Sequence, residues 1–539
     1  METAKKRFIL SATFCFMLSI PLFPENKVFF RFMPLVNAPA GIEYFEPGFG
    51  GRAFLDYSFV SLPQKFNFGL SLGGGYSRLS VKDNSVFSIL EGDAGPFIDR
   101  QFLDRFSLRL GLGAGVYRYQ WNGRKNIRPK LDASFQALFH VSPFLSLFAG
   151  AGYTWYTFAD ALPINSVKAG LGVSLNLGEL VQPLPRVSAE KTGQRRIFPV
   201  SYAWYEDNEI ARVKISNNEP NAITSVELSF YLERYMNQPT LFAAVPRLGP
   251  GESAEFPVTA LFNESLLELL ENINANSVVS VGYRSLGMKK EANIPMPMPV
   301  YHRNAFSWDD DRRAASFVSP GDPGAVYFAR FVEAAVRKSV NSDTRLPKNM
   351  LLAVALFEAL DLYGINYLVD PASSYVELSE NASSLDNLNY PYQTLMYRGG
   401  DCDDLSILFC SLLEALGIKT AFITTPGHIY AAFDSGITVE EPGTAGTGFI
   451  YAGGTYWLPV EITASGEGFA EAWRLGSQEW NDADGEGVLY PMGDSWLLYQ
   501  PVSAPGAGEN LPAMPEETEI ARRFEASVRT ITGVYYAKK

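Results

Sequence analysis

Cys402 and His428 are the residues of this 539-residue chain whose types and spacing point most directly to chemistry. They lie 26 positions apart (428 − 402) in GGDCDDLSILFCSLLEALGIKTAFITTPGHIYAAFD, in a chain with only three cysteines and three histidines. A thiol and an imidazole together make a nucleophile. The imidazole takes the thiol proton, and the thiolate attacks an amide carbonyl. After Cys402, the residues Leu405, Leu408, Phe409, Leu412, Leu413 and Leu416 recur at helical spacing, and Gly417 ends the run. Cys402 is therefore expected at the N-terminus of a buried helix, where unpaired N–H groups and the helix dipole favour a thiolate. Asp403 and Asp404 oppose the thiolate by like charge, and either suits a helix cap. Gly399 and Gly400 allow a tight approach just before the helix. A strand over Lys419–Thr424 and a Pro-Gly turn then deliver His428 at the head of the apolar run Ile429–Phe433.

The other cysteines sharpen this reading. The N-terminus reads as a secretory signal over residues 1–23: Lys5, Lys6 and Arg7, then an apolar stretch from Phe8 to about Leu22 that is short for a membrane helix. Phe14 precedes Cys15 where a lipidation signal wants a small residue, so no lipoprotein is expected. If Cys15 leaves with the signal, Cys402 and Cys410 remain. Eight residues apart on one helix is about 12 Å, beyond the ~7 Å reach of a disulfide, so Cys402 should stay a free thiol. Cys410 reads as packing. The net charge of −13 supplies no basic stripe and argues against a nucleic-acid partner. Neither a phosphate-cradling glycine motif nor a calcium-loop spacing at Asp309, Asp310 and Asp311 is present, so no cofactor and no metal are expected.

The elements that must position the pair belong to a longer plan, about three domains by length. Residues 27–180 alternate with period two in about eight segments, beginning near Val28, Arg52, Phe66, Phe87, Phe106, Lys130, Leu145 and Ser166. Phe66, Phe68, Leu70 and Leu72 alternate with Asn67, Gly69, Ser71 and Gly73; Leu131, Ala133, Phe135 and Ala137 alternate with Lys130, Asp132, Ser134 and Gln136. One face is apolar, the other small or polar. With aromatic-rich ends (Tyr117, Tyr119, Trp121; Tyr153, Trp155), the region resembles the small eight-stranded outer-membrane barrel family. The resemblance implies an antiparallel β-barrel with its apolar face toward lipid, and an even strand count returns the chain to the periplasm. His140 is expected in the lumen or at an interface.

After a linker over Val181–Pro185, residues 186–300 read as a soluble β domain, with strand-like runs at Ala211–Ile215, Ile223–Leu232, Phe256–Val258 and Val278–Gly282. The phrase Leu248–Val258, LGPGESAEFPV, resembles a feature of bacterial immunoglobulin-like β-sandwiches. Helical periodicity follows at Val326–Val336 and Leu351–Leu362, then a strand at Tyr451–Pro459. His302 reads as structural at the domain junction. Residues 501–539 read as a linker and a polar helix near Glu516–Thr532, either a solvated tail or the start of an interaction element that stops short.

Over residues 301–500 the motifs resemble the transglutaminase-like superfamily of papain-like α+β enzymes. The residues that carry this are Gly400-Asp401-Cys402 at a helix start, Gly427-His428 opening a strand, and Tyr456–Glu461 on the next, with Tyr392-Gln393-Thr394-Leu395 upstream. The resemblance implies a Cys402–His428–Glu461 site. Glu461 stands where many members use Asp, and Asp434 is the alternative third residue, about 20 Å along the strand from His428 if extended. The backbone N–H of Cys402 is the first oxyanion donor and Gln393 the candidate second. The implied activity is that of a cysteine peptidase, amidase or acyltransferase on protein or peptidoglycan peptides, in an envelope protein anchored in the outer membrane with its C-terminal domains in the periplasm. The alternative is a non-catalytic envelope scaffold or peptide-binding protein.

Overall fold

In a computed structural model, the described residues are 28–40, 44–62, 66–157, 165–181, 185–343, 346–368, 385–437, 448–509 and 511–538. The expected signal segment and Cys15 lie outside them.

The first unit is a closed barrel of eight antiparallel strands in sequential order. They are β1 (Val28–Ala40), β2 (Phe45–Leu62), β3 (Phe66–Val81), β4 (Val86–Leu103), β5 (Phe106–Trp121), β6 (Arg124–His140), β7 (Leu145–Tyr156) and β8 (Asn165–Asn176). Closure comes from β1 pairing with both β2 and β8. Leucines 70, 72, 110, 112, 131 and 171 stand exposed on the outside. Inside, Arg31, Arg52, Arg109, Lys130 and Lys168 meet Asp56, Glu91, Asp93, Asp99 and Asp132. Five cations against five carboxylates leave the lumen neutral and filled, with contacts such as Lys168 Nζ to Glu91 Oε1 at 2.6 Å. Apolar outside and charged inside is the reverse of a water-soluble barrel. Glycine permits the narrow bore: a Cβ on Gly95 would strike the carbonyl of Leu112 on the neighbouring strand. His140 faces inward between the hydroxyls of Ser107 and Ser146.

One expectation needs correction here. β2 and β6 begin several residues before Arg52 and Lys130. Their first turns carry polar or glycine residues that break the apolar alternation while the strand ladder continues. Of the aromatic-rich ends, Tyr117, Tyr119 and Trp121 turn out to lie inside. They share the inward face of β5 and pack with Phe87, Leu79 and Tyr156 as an apolar plug, while Arg118 faces out. Trp155 does face outward.

Residues 187–300 form two larger antiparallel sheets and a two-stranded pairing of Ile273–Ala275 with Met298–Val300, around one core. One orders β13 (Ser253–Val258), β10 (Ala211–Asn217) and β9 (Val187–Gln194). The other orders β12 (Thr240–Leu248), β11 (Ile223–Leu232), β14 (Ser277–Ser285) and β15 (Met288–Pro295).

The third unit is mixed α/β. Helices α1 (Pro323–Ser342), α2 (Lys348–Tyr363), α3 (Pro391–Tyr397) and α4 (Cys402–Ala415) precede an antiparallel sheet. Its order is β18 (Ile450–Ala452), β19 (Thr455–Val460), β17 (His428–Asp434), β16 (Thr420–Thr425) and β20 (Val488–Pro491). The run expected as one strand over Tyr451–Pro459 is a hairpin, β18–β19, because Gly453 and Gly454 take positive φ. α5 (Phe469–Asp482) lies over β19. The C-terminal helix α6 (Glu517–Lys538) is no solvated tail: Ile520, Phe524, Val528, Ile531 and Tyr535 bury one face in the core that holds α1, α2 and α4. Among the described residues no helix is long and apolar enough to cross a membrane, which leaves a β-barrel crossing untouched.

Candidate functional site

The site is assembled by α4 and the two central strands. α4 is buried all round from Cys402 to Leu413, wedged between α1, α2 and the sheet. Cys402 is its first residue. The N-cap is Asp401, whose side chain accepts from the Asp404 N–H at 3.5 Å; Asp403 Oδ1 takes the same N–H at 2.6 Å. The approach is tight, since a Cβ on Gly400 would meet the Asp404 side chain. Burial, then the neighbouring Asp401 charge, pushes the Asp404 carboxyl up to about 8, and burial with Asp401 holds Asp403 well above the usual carboxylate range. Both shifts favour the neutral carboxyls and so weaken the like-charge opposition expected at Cys402.

His428 opens β17 after Gly427, which takes a positive φ of 79°. The ring stacks on Tyr430 at 5.6 Å. Its Nε2 lies 2.6 Å from Glu461 Oε2, and the imidazole is also hydrogen-bonded to Cys402. Burial works against the charged ring. The hydrogen bonds to Cys402 and Glu461, with the charges of both, win and raise it to about 10. Glu461 directly follows β19, which lies beside β17 in the sheet. Its Oε1 accepts from the Thr463 N–H at 3.0 Å and the Thr463 hydroxyl at 2.5 Å, which fixes the carboxylate's orientation. Burial would raise this carboxyl, but His428 and Thr463 hold it below its ordinary value. Cys402, His428 and Glu461 are therefore in one hydrogen-bonded line, as a nucleophile, its base and an orienting acid require.

Asp434 sits at the far end of β17, paired with Trp457, and caps the Gly436 N–H at 2.9 Å. Gln393 is committed to structure. Its Oε1 accepts from the Tyr390 N–H at 2.9 Å and Asn304 Nδ2 at 2.8 Å, a capping box that starts α3. Cys410 is fully buried, its thiol pushed well up by burial, and both Cys402 and Cys410 are free. His302 lies at the junction, its N–H donating to Asn272.

Two residues near the line carry no sequence motif. Glu479 on α5 places Oε2 3.7 Å from His428 Nε2 and accepts from the Thr425 hydroxyl at 3.0 Å. Tyr367 lies in a two-residue strand beside Gly399–Gly400. Only tertiary packing brings either one in. Two groups among the described residues bring three ligating atoms within 4.8 Å of one another: His428, Glu461 and Glu479, and Asp401, Asp403 and Asp404. The first shares His428 and Glu461 with the hydrogen-bonded line and adds Glu479. The acidic run at Asp309–Asp311 is structural: Asp309 pairs with Arg313 at 2.6 Å and Asp310 with Arg312 at 2.8 Å.

No protein-family model matches the chain, and no curated protein matches it. Among solved structures, Neisserial surface protein A (NspA) is 16% identical, over 28% of this chain and 95% of that chain, with a TM-score of 0.22. Ail, the attachment invasion locus protein of Yersinia pestis, is 16% identical over 28% of this chain and 97% of its own, TM-score 0.20. The beta domain of the Bordetella autotransporter Brka is 9% identical over 51% of this chain and 95% of its own, TM-score 0.19.

Proposed function

We propose that this chain is an outer-membrane protein whose C-terminal domains lie in the periplasm and carry a transglutaminase-like, papain-fold site for thiol-dependent amide chemistry. The observation that carries the chemical reading is the hydrogen-bonded line Cys402–His428–Glu461, with 2.6 Å between His428 Nε2 and Glu461 Oε2. His428 holds the proton of Cys402, and Glu461 fixes the ring and balances its charge. The thiolate adds to an amide carbonyl of a protein or peptidoglycan peptide, and the imidazolium protonates the departing amine. Water then resolves the thioester, with transfer to an amine as the second route. The membrane reading rests on the barrel's leucine-bearing outer face and its neutral, charge-filled lumen. The sandwich between them supports an immunoglobulin-like spacer.

One observation favours a non-catalytic, peptide-binding scaffold: Cys402 is only 6% exposed. Alkylation separates the two readings. Iodoacetamide labelling of the full-length protein, followed by peptide mass spectrometry, is expected to mark Cys402 at least tenfold faster than Cys410, and His428→Ala to lose most of that advantage. Equal labelling of the two cysteines, insensitive to His428, would leave the scaffold.

A further inference from the structure

A thiolate adding to a carbonyl puts a full negative charge on the carbonyl oxygen, and a working site aims two donors at it. The Cys402 backbone N–H, at the first position of α4, lies outside the helix's own hydrogen-bond ladder and supplies one. Gln393 is turned toward the start of α3, its Oε1 accepting from Tyr390 and Asn304 and its Nε2 facing Asn304 Oδ1 at 3.5 Å.

We propose that the Tyr367 hydroxyl is the second oxyanion donor of the Cys402 site, an inference that rests on the thiol chemistry proposed above. The backbone fixes where Tyr367 stands. Asn366 and Tyr367 run parallel to Gly399 and Gly400, so Tyr367 is level with the residue two before Cys402. The ladder is held on both sides: the Asn366 N–H donates to Arg398 O at 3.1 Å and the Leu368 N–H to Gly400 O at 2.8 Å. This short strand also packs on the turn over Ile462–Glu467, which begins immediately after Glu461. Tyr367 is thus bracketed by the lead-in to the thiol and the lead-out from the carboxylate.

The side chain suits the role. Tyr367 is 45% exposed, so a carbonyl arriving from solvent can reach it. Among the described residues no side chain takes its hydroxyl. Burial first, then the charge on Cys402, then Asp401 and Glu461, hold the phenol above its ordinary value, so it keeps its proton at neutral pH and donates rather than accepts. Of the charges that act on the phenol, that of Cys402 is the strongest.

The step is an addition followed by an elimination. Sulfur forms a bond to the carbonyl carbon, the C=O π pair moves to oxygen, and that oxyanion accepts from the Cys402 N–H and the Tyr367 O–H. Its collapse restores C=O, expels the leaving group and leaves a thioester on Cys402.

Two reagents separate this role from others. p-Nitrophenyl acetate acylates a thiolate through an oxyanion, whereas iodoacetamide alkylates it by displacement with none. In detergent-solubilised full-length protein, Tyr367→Phe is expected to slow acylation of Cys402 by about 10²-fold, with alkylation within about threefold of wild type. Unchanged acylation overturns the inference. A parallel loss of both reactions also overturns it, since Tyr367 would then act on the thiol or the local fold. If wild type reacts no faster than Cys402→Ala with either reagent, the thiol chemistry itself fails and this role falls with it.

Discussion

Two carboxylates face the same nitrogen of His428, and their distances set an order of importance. Glu461 at 2.6 Å is hydrogen-bonded, buried and clamped by Thr463; Glu479 at 3.7 Å is half-buried and held by Thr425 alone. Glu461→Gln removes a charge from a buried hydrogen bond and is expected to lower acyl transfer from Cys402 by at least tenfold, whereas Glu479→Gln changes it by less than about threefold. The charged ring also couples folding to pH. The folded His428 holds its proton to about pH 10, against 6.5 ordinarily. Its contribution to stability is complete below pH 6.5 and disappears as pH climbs to about 10. The urea midpoint of wild type should therefore approach that of His428→Ala over that interval. Cys402, His428 and Glu461 were legible in the sequence because each opens or closes an element whose periodicity is visible. Glu479 was not, because α5 reaches the site by packing across the sheet, and no local pattern records which turn of a helix will face a histidine on a strand.

At the scale of elements, the barrel strands declare which face meets which solvent. Leu112 is 65% exposed in the middle of the outward row of β5, next to Leu110 and Ala114. On a water-soluble barrel a charge at such a position costs almost nothing. In lipid an arginine at mid-depth costs about 2–4 kcal/mol. Leu112→Arg is therefore expected to lower the urea midpoint, read from heat-modifiable gel migration in lipid vesicles, while Arg118→Leu, three steps of alternation further along the same face, does not. Period-two alternation made the lipid-facing halves of the strands readable. It failed for the starts of β2 and β6, where Glu46, Arg124 and Lys125 lie beyond the leucine band and face water although the ladder continues. The aromatic character of Tyr117, Tyr119 and Trp121 says nothing about side; the unbroken alternation through Arg109, Gly111 and Gly115 puts them inside. Helix α6 was misread for a related reason, because five apolar residues among many charges look solvated until a partner surface is known.

The three units are joined by built contacts. The sandwich and the α/β unit share core: Phe198 and Val200 belong to the same apolar cluster as α1 and α4, and Trp204 stacks on Tyr499 at 5.9 Å. The barrel meets the sandwich through a polar cluster. Lys290 Nζ, 1% exposed, lies 3.2 Å from Glu179, just after β8, and 3.1 Å from Glu219 of the sandwich, and Tyr283 donates to Glu219 at 2.7 Å. Gln101 near the end of β4 donates to Asn221 at 2.7 Å. One ammonium thus offsets two buried carboxylates drawn from different units. Removing it leaves Glu219 buried without a cation and Glu179 with only the part-exposed Arg186 at 3.4 Å, a loss of about 3–5 kcal/mol, whereas a rim pair such as Arg247–Asp104 at 3.6 Å is exposed and contributes little. Lys290→Met should therefore loosen the joint without unfolding the barrel. Limited proteolysis is expected to cut between residues 181 and 187 at least tenfold faster in Lys290→Met than in wild type, with barrel heat-modifiability retained, while Arg247→Ala cuts at the wild-type rate. If Lys290→Met resists cleavage as wild type does, the joint is held by the remaining contacts, and the site's position relative to the barrel does not depend on this lysine.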